Sequence, residues 1–119
     1  MNKQIILFTD GACLGNPGAG GWAGILCYNN HKKIISGGEP NTTNNRMELT
    51  AVIMGLSALT RSVEIKVVTD SRYVMDGTQK WMANWKKNDW KTAAKKPVKN
   101  QDLWLQLDNL CTKHTVNWE

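Results

Sequence analysis

Three carboxylates occupy positions where a metal site could form. Asp10 and Asp70 each follow a threonine at the end of an apolar run, and Glu48 lies near the start of a segment with helical periodicity. Neighbouring carboxylates repel one another unless a cation neutralises them, and hard oxygen ligands select Mg²⁺ or Mn²⁺ over zinc. The three residues therefore indicate a divalent-metal site, which could activate water against a phosphodiester.

Taken singly, none of these carboxylates demands a metal. Aspartate before glycine or serine at a strand end is a common turn device. Glutamate near a helix start interacts favourably with the helix dipole. The interpretation as metal ligands therefore depends on the elements that bring the three side chains together.

The first half of the chain predicts strands, a helix and a further strand. A helix is predicted from Thr42 or Thr43, either of which is a good N-cap, to Arg61-Ser62. Strands are predicted over residues 4–9, 22–28, 32–36 and 64–69, with a glycine-rich loop over 11–21 and a hairpin turn at 29–30. The helix makes a crossover unit, so the fourth strand should run parallel to an earlier one and place Asp10 and Asp70 at one edge of the sheet.

The second half of the chain is predicted to be mostly helical. Helices are expected over 72–88 and 102–111, with a polar connection over 90–99 between them and a fifth strand over 115–119. At 119 residues the whole chain, 1–119, is predicted to form a single domain.

Basic residues concentrate in one stretch of this second half. The net charge is +5, and seven of the fifteen basic residues fall within 80–99, against one acid: Lys80, Lys86, Lys87, Lys91, Lys95, Lys96 and Lys99. A lysine run is usually a solvated face, but here tryptophans are interleaved with it, which favours an anionic partner. Trp85 and Trp104 are expected to be mainly structural.

Other classes of protein fit the sequence poorly. The three cysteines are widely spaced, which argues against a disulfide framework or a zinc site. The apolar run near the N-terminus is too short for a signal peptide or a membrane span, so a cytoplasmic protein without membrane contact is expected. Gly18–Ala23 fits a loose dinucleotide fingerprint but opens a strand, which is the wrong context.

Three motifs resemble those of the ribonuclease H family, specifically the bacterial type 1 enzymes. They are Thr9–Gly18, Thr42–Leu49 and Thr69–Val74, and the stretch Trp81–Lys99 is similar to the basic protrusion of the bacterial members. The resemblance implies an α/β ribonuclease H-like fold, a five-stranded mixed sheet flanked by helices. It also implies endonucleolytic hydrolysis of the RNA strand of RNA–DNA hybrids with two Mg²⁺ ions, or Mn²⁺ as substitute, leaving 3′-hydroxyl and 5′-phosphate ends.

The resemblance also implies roles for individual residues. Asp10, Glu48 and Asp70 match catalytic metal ligands. The positions that match contacts to the hybrid's minor groove are Cys13, Asn16, Asn44 and Asn45. Thr43 matches a contact to a DNA phosphate, and Tyr73 and Trp81 match aromatic positions along the DNA-strand channel. The lysines expected to meet phosphates are Lys86, Lys87, Lys95 and Lys96.

The family pattern continues beyond the fifth strand, into a loop with a mobile histidine and a last helix with a fourth metal-binding aspartate. This sequence has neither, and His114 does not match the loop position. We therefore expect a C-terminally truncated member that keeps the fold and hybrid binding but has reduced or lost catalysis. The family implies a monomer, while a sheet face left uncovered would allow self-association.

Two other functions compete with the nuclease. The first is a hybrid-binding module with little or no turnover. The second is a related phosphoryl-transfer enzyme, such as a transposase or integrase core, which would share the acidic sheet edge. The asparagine-rich stretch 42–45 and the basic protrusion favour the ribonuclease H type over the second.

Overall fold

The computed structural model describes residues 4–119, so residues 1–3 of the predicted domain lie outside the described part. One five-stranded sheet carries the fold, with the strand order β3-β2-β1-β4-β5. The strands are β1 (Ile5–Cys13), β2 (Gly18–Tyr28), β3 (His31–Thr42), β4 (Glu64–Val68) and β5 (Thr115–Trp118). The first three form an antiparallel meander, whereas β4 is parallel to both β1 and β5. This confirms the predicted mixed sheet and the parallel crossover.

The helices lie on one side of this sheet. They are α1 (Asn44–Ser57), α2 (Arg72–Asp76), a π-helical turn (Gly77–Trp81), α3 (Met82–Lys87) and α4 (Gln101–Lys113). The core lies between helices and sheet, where Leu7, Leu26, Ile65 and Val67 meet the apolar side of α1 and the Trp104 indole. Trp104 is fully buried, so its predicted structural role is confirmed. Along β1 burial alternates, and Phe8 and Asp10 face outward on the opposite side of the sheet.

Several predicted boundaries were wrong. The expected loop over 11–21 is mostly strand, because β1 continues to Cys13 and β2 begins at Gly18. Glycine-rich sequence is typical of loops, yet here paired antiparallel strands hold it extended. The third strand is longer than 32–36 for the same reason, since it stays paired with β2 as far as Thr42.

Helix α1 also ends earlier than predicted. It begins after Thr43, whose side chain accepts a hydrogen bond from the Arg46 N–H at 3.3 Å, so Thr43 and not Thr42 is the N-cap. It ends at Ser57 and not at Arg61-Ser62, and the backbone N–H groups of Ala58 and Leu59 close its last turn. Within residues 4–119, no helix combines the length and apolarity that a membrane span requires.

His114, between α4 and β5, makes the stability of this fold depend on pH. The side chain is 3% exposed, and its Nδ1 accepts a hydrogen bond from the Val63 N–H at 3.2 Å. Burial, followed by the charge of Lys113, lowers the pKa of His114 below its ordinary value of 6.5, while the Leu56 carbonyl acts in the opposite direction. The folded protein therefore prefers the neutral imidazole.

We expect stability to fall as the pH drops below about 6.5, since the unfolded chain then binds a proton that the folded chain resists. The contribution of His114 is complete above that pH and is lost toward the lower pKa of the folded state, by at most about 1.4 kcal/mol per pH unit. Urea unfolding of the wild type and His114→Asn from pH 8 to 5 measures it. The wild-type curve should be the steeper of the two, and parallel curves would contradict the assignment.

Candidate active site

Asp10 and Asp70 are brought to the same edge by the pairing of β1 with β4. The parallel register ends at Phe8 opposite Val68, and each aspartate follows two residues later on its own chain segment. Both side chains belong to exposed residues. Asp10 does not stand at the end of its strand as predicted, because β1 continues past it. The edge is nevertheless the carboxyl end of the parallel pair, where open α/β sheets place ligands.

Glu48 reaches this edge from the helix above it. Helix α1 crosses β1 at Gly11, where an added methyl group would lie 2.5 Å from the Met47 carbonyl carbon and 2.6 Å from the Glu48 nitrogen. Only a residue without a side chain permits so close an approach of the strand to the helix backbone. Gly11 therefore sets the distance between the segment that carries Asp10 and the turn that carries Glu48.

The negative charges of Asp70 and Asp10 both affect the pKa of Glu48. Burial raises the pKa of Glu48 most, the charges of Asp70 and Asp10 raise it further, and the Ser71 hydroxyl lowers it through a hydrogen bond. Ser71 is itself buried and caps α2 by accepting the Val74 N–H at 3.1 Å. Sequence reasoning treated Ser71 only as a turn residue. Its place before a short helix marked it as a cap, but no pattern in the sequence linked it to Glu48.

The donor set at this edge fits a divalent cation such as Mg²⁺. All three side chains offer carboxylate oxygens, and the charges of Asp70 and Asp10 add to the effect of burial in raising the pKa of Glu48. Across residues 4–119, however, no three His, Cys, Asp or Glu side chains converge closely enough to form a ready-made metal cage. Magnesium keeps several waters, so carboxylates that share an edge without converging still suit it.

An asparagine cluster, defined here as Asn16, Asn44 and Asn45, lies next to this edge. The Asn16 side-chain oxygen accepts a hydrogen bond from the Asn44 N–H at 3.2 Å, which joins the β1–β2 turn to the start of α1. The Cys13 thiol donates to the carbonyls of Gly18 and Thr42, at 3.3 Å each. These bonds join Cys13 and Asn16 to the segment Thr42–Asn44, and Cys13 and Asp10 line an open groove of about 530 Å³.

The predicted aromatic contact residues, Tyr73 and Trp81, pack together with Trp104 and form what is called here the aromatic wall. The Tyr73 ring is 5.7 Å from that of Trp81 and 5.4 Å from that of Trp104, between ring centroids. The Tyr73 hydroxyl accepts hydrogen bonds from Trp104 Nε1 and Asn100 Nδ2, at 3.1 Å each. Tyr73 is thus held rigidly, and Trp81 stands half-exposed in front of it.

The basic segment, residues 80–99, projects from this aromatic wall. Lys87, Lys95 and Lys96 are exposed, whereas Lys86 pairs with Asp108 on α4 at 3.2 Å. The segment folds back on itself through a bridge between Lys91 and Pro97. It therefore presents a positive surface at some remove from the carboxylates.

Sequence reasoning missed Arg46 and Asn100. The Arg46 guanidinium pairs with both oxygens of Asp102, at 3.0 and 2.8 Å, and donates to Asn100 Oδ1 at 3.1 Å. Arg46 lies inside the stretch Thr42–Leu49, but its partners lie more than fifty positions away in sequence. No local pattern could have identified them.

Comparison with known sequences gives consistent matches over the whole chain. A model of the RNase H family matches residues 2–119. The chain is 57% identical over 118 residues to "Ribonuclease HI" of Neisseria meningitidis serogroup A, covering 99% of this chain and 81% of that protein. It is 60% identical over 116 residues to "Ribonuclease H" of Francisella philomiragia, covering 98% and 76%.

Solved structures agree with the fold. LC9-RNase H1, described as a type 1 RNase H with the type 2 active-site motif, superposes with a TM-score of 0.86 at 28% identity, covering 100% of this chain and 63% of that one. LC11-RNase H1, solved in complex with an RNA/DNA hybrid, gives a TM-score of 0.73 at 20% identity, covering 98% and 83%. At that identity the second likeness concerns the fold alone.

Proposed function

Since the chain belongs to the ribonuclease H family, we propose that it hydrolyses the RNA strand of RNA–DNA hybrids in a reaction that requires Mg²⁺ or Mn²⁺. The products would carry 3′-hydroxyl and 5′-phosphate ends. The domain 1–119 would act with residues 80–99 as its basic protrusion. The observation that carries the proposal is the placement of Asp10 and Asp70 just beyond one parallel register, with Glu48 electrostatically coupled to both.

Asp10, Glu48 and Asp70 are the residues that would hold the cation, and two ions are expected in a complete site. Bound there, the metal would supply Lewis-acid stabilisation of the phosphodiester and a more acidic water. The protein's own part is to hold three carboxylates at one edge against their mutual repulsion. The Ser71 hydroxyl, which lowers the pKa of Glu48, favours its charged form, while the close approach of α1 to Gly11 fixes the position of the helix turn that carries it.

The asparagine cluster supports a hybrid as the substrate. Amide side chains both donate and accept hydrogen bonds, as the RNA 2′-hydroxyl does, and that hydroxyl is the group that distinguishes RNA from DNA. Asn44 and Asn45 lie in the first turn of α1, close in sequence to Glu48, and Asn44 is hydrogen-bonded to the turn that follows the strand carrying Asp10. An RNA strand read by the cluster would thus place its backbone near the carboxylates.

One set of assays tests this function. Hybrid, double-stranded DNA and single-stranded RNA of the same sequence are incubated with Mg²⁺, with Mn²⁺ and with chelator, and the product ends are identified by labelling. We expect cleavage of the hybrid's RNA strand only, in either metal and not with chelator. Cleavage that persists in chelator, or that is equal on DNA, contradicts the proposal.

Hybrid binding without turnover is the second candidate. The observation that favours it is that the carboxylates within residues 4–119 share an edge without converging into a metal cage. In that case, fluorescence anisotropy would show tight binding to the hybrid, while no metal would produce cleavage. The same set of assays therefore separates the two candidates.

The basic segment yields a prediction about salt. Replacing Lys86, Lys87, Lys95 and Lys96 together by glutamine should weaken hybrid binding, because each lost phosphate contact removes about 0.7 to 0.9 from the slope of log affinity against log salt. We expect the slope to flatten by roughly 3 in total if all four lysines meet phosphates. Titrations of hybrid binding at several salt concentrations measure it.

Lys32 and Lys33 provide the matched control for this experiment. They are an exposed adjacent pair like Lys95 and Lys96, but they lie at the start of β3, where they line a depression formed with the end of α1. The double replacement of Lys32 and Lys33 should leave the slope unchanged, whereas that of Lys95 and Lys96 should reduce it. Equal slopes for the two double variants would show that the basic segment does not meet phosphates.

A further inference from the structure

Arg46 connects the carboxylate-bearing helix to the foot of the basic segment. It lies in the first turn of α1, two positions before Glu48, and its guanidinium points away from the carboxylates toward α4. There it forms two parallel hydrogen bonds with Asp102, at 3.0 and 2.8 Å, and a third with Asn100 Oδ1 at 3.1 Å. Such fork-to-fork pairing fixes orientation as well as distance.

Asn100 extends the connection to the aromatic wall. It follows Lys99, the last residue of the basic segment, and its backbone is left-handed with φ of 60°. Its side chain accepts from Arg46 and donates to the Tyr73 hydroxyl, which also accepts from Trp104 Nε1. One continuous network thus joins the start of α1, the start of α2 and the return of the basic segment.

The network is expected to contribute little to the free energy of unfolding and to act mainly by fixing the positions of the elements it joins. The side chains of Arg46 and Asp102 are 30% and 59% exposed, and ion pairs so open to water stabilise a fold little. The positions of these elements matter for binding, because they carry the predicted substrate contacts other than Cys13 and Asn16. Asn44 and Asn45 directly precede Arg46 on the chain, and its partner Asn100 directly follows Lys99.

We propose that Arg46 is a positioning residue that fixes the spacing between the asparagine cluster and the basic segment, and so makes the surface that these two form selective for an RNA–DNA hybrid over a DNA duplex. This inference rests on the proposed function. The minor groove of B-form DNA is narrow, whereas duplexes that contain an RNA strand approach A-form geometry, with a wide, shallow minor groove. Two walls at a fixed spacing accept one width and reject the other.

A direct contact of Arg46 with a phosphate predicts a different response to mutation. Asp102→Asn leaves the arginine in place and removes the charge that holds it. If Arg46 met phosphate itself, the freed guanidinium would bind the duplex at least as well as before. If Arg46 acts through Asp102, the same substitution should loosen the spacing and reduce selectivity.

The test measures the affinities of the full chain for a hybrid and for a DNA duplex of the same sequence, by fluorescence anisotropy in chelator. We expect Asp102→Asn to lower the ratio of the two affinities by about tenfold, which corresponds to about 1.4 kcal/mol of lost discrimination. Arg46→Lys, which keeps the charge but not the fork, should act in the same direction. The double variant should lose no more than Asp102→Asn alone, because both changes break one contact.

Lys66→Gln is the matched control. It removes the Lys66–Glu119 ion pair, whose side chains are 31% and 62% exposed, on the opposite side of the sheet from α1. Its melting temperature should resemble that of Asp102→Asn, while its affinity ratio stays at the wild-type value.

Three results of these binding measurements would overturn the proposal for Arg46. A wild-type preference for the hybrid that Asp102→Asn retains overturns the positioning role. So does a parallel loss of affinity for both duplexes, which would indicate general damage. A wild type with no preference for the hybrid overturns the selectivity that Arg46 is proposed to provide, whereas the proposed function is overturned only by the cleavage assays.

Discussion

Asp10→Asn is expected to abolish cleavage while leaving the hybrid bound. Asparagine keeps an oxygen donor and nearly the same shape but removes one of three negative charges at the edge, so a divalent cation loses its strongest attraction there. We expect the cleavage rate in Mg²⁺ to fall on the order of a hundredfold or more, the scale of losing one group that stabilises developing charge. Affinity for the hybrid in chelator should stay the same or rise, since a negative charge near phosphate is gone.

The measurements for Asp10→Asn are a single-turnover cleavage rate and an anisotropy titration on the same preparation. Glu64→Gln is the control, since it removes one carboxylate charge at the opposite end of β4 from Asp70. It should leave both measurements at the wild-type values. Wild-type cleavage by Asp10→Asn would remove Asp10 from the metal site.

Gly11→Ala is expected to damage the same site without changing any polar group. The added methyl would lie 2.5 to 2.7 Å from backbone atoms of Met47 and Glu48, and backbone cannot rotate aside as a side chain can. Relief therefore requires α1 to lift from β1, which moves Glu48 away from Asp10. We expect a loss of about 1 to 3 kcal/mol in the free energy of unfolding, the usual cost of overpacking, and a roughly hundredfold loss of cleavage for a displacement of about 1 Å.

Gly21→Ala provides the comparison for Gly11→Ala. Gly21 lies on the neighbouring strand opposite Ala12, and a methyl there would meet only the Gly37 carbonyl oxygen at 3.5 Å, an ordinary contact. Activity of both variants is measured at a temperature where circular dichroism shows them folded. If folded Gly11→Ala cleaves like Gly21→Ala, the close approach at Gly11 does not set the geometry of the site.

The sequence predicted the topology well because hydrophobic periodicity determines it. The crossover between β1 and β4 followed from one strand, one helix and one strand in succession, and the structure confirms their parallel pairing. Boundaries were less predictable. The stretch from Gly11 to Gly21 was expected to be a loop because glycine has low strand propensity, but pairing across β1 and β2 overrides that propensity.

The site was predictable only where its residues form local patterns. The two Thr-Asp motifs and the run Thr42–Leu49 are visible in the sequence, and the structure brings Asp10, Asp70 and Glu48 from them to one edge. Local sequence could not predict the roles of Arg46, Asn100 and Ser71, because these roles come from partners far along the chain. The tight crossing at Gly11 also has no sequence signature, since a glycine before a predicted loop is commonplace.

The central position of β1 in the sheet has a consequence for local opening of the backbone. From Ile5 to Phe8 this strand is hydrogen-bonded on both sides, to β2 and to β4, so exposing that backbone requires two ladders to open together, whereas at Asp10 only the ladder with β2 continues. The basic segment closes through one isolated bridge and a few turn hydrogen bonds. Amide hydrogen exchange should therefore be slowest between Ile5 and Phe8 and fastest between Lys91 and Lys96, so that Asp10 would directly follow the least mobile backbone while the duplex would first meet the most mobile.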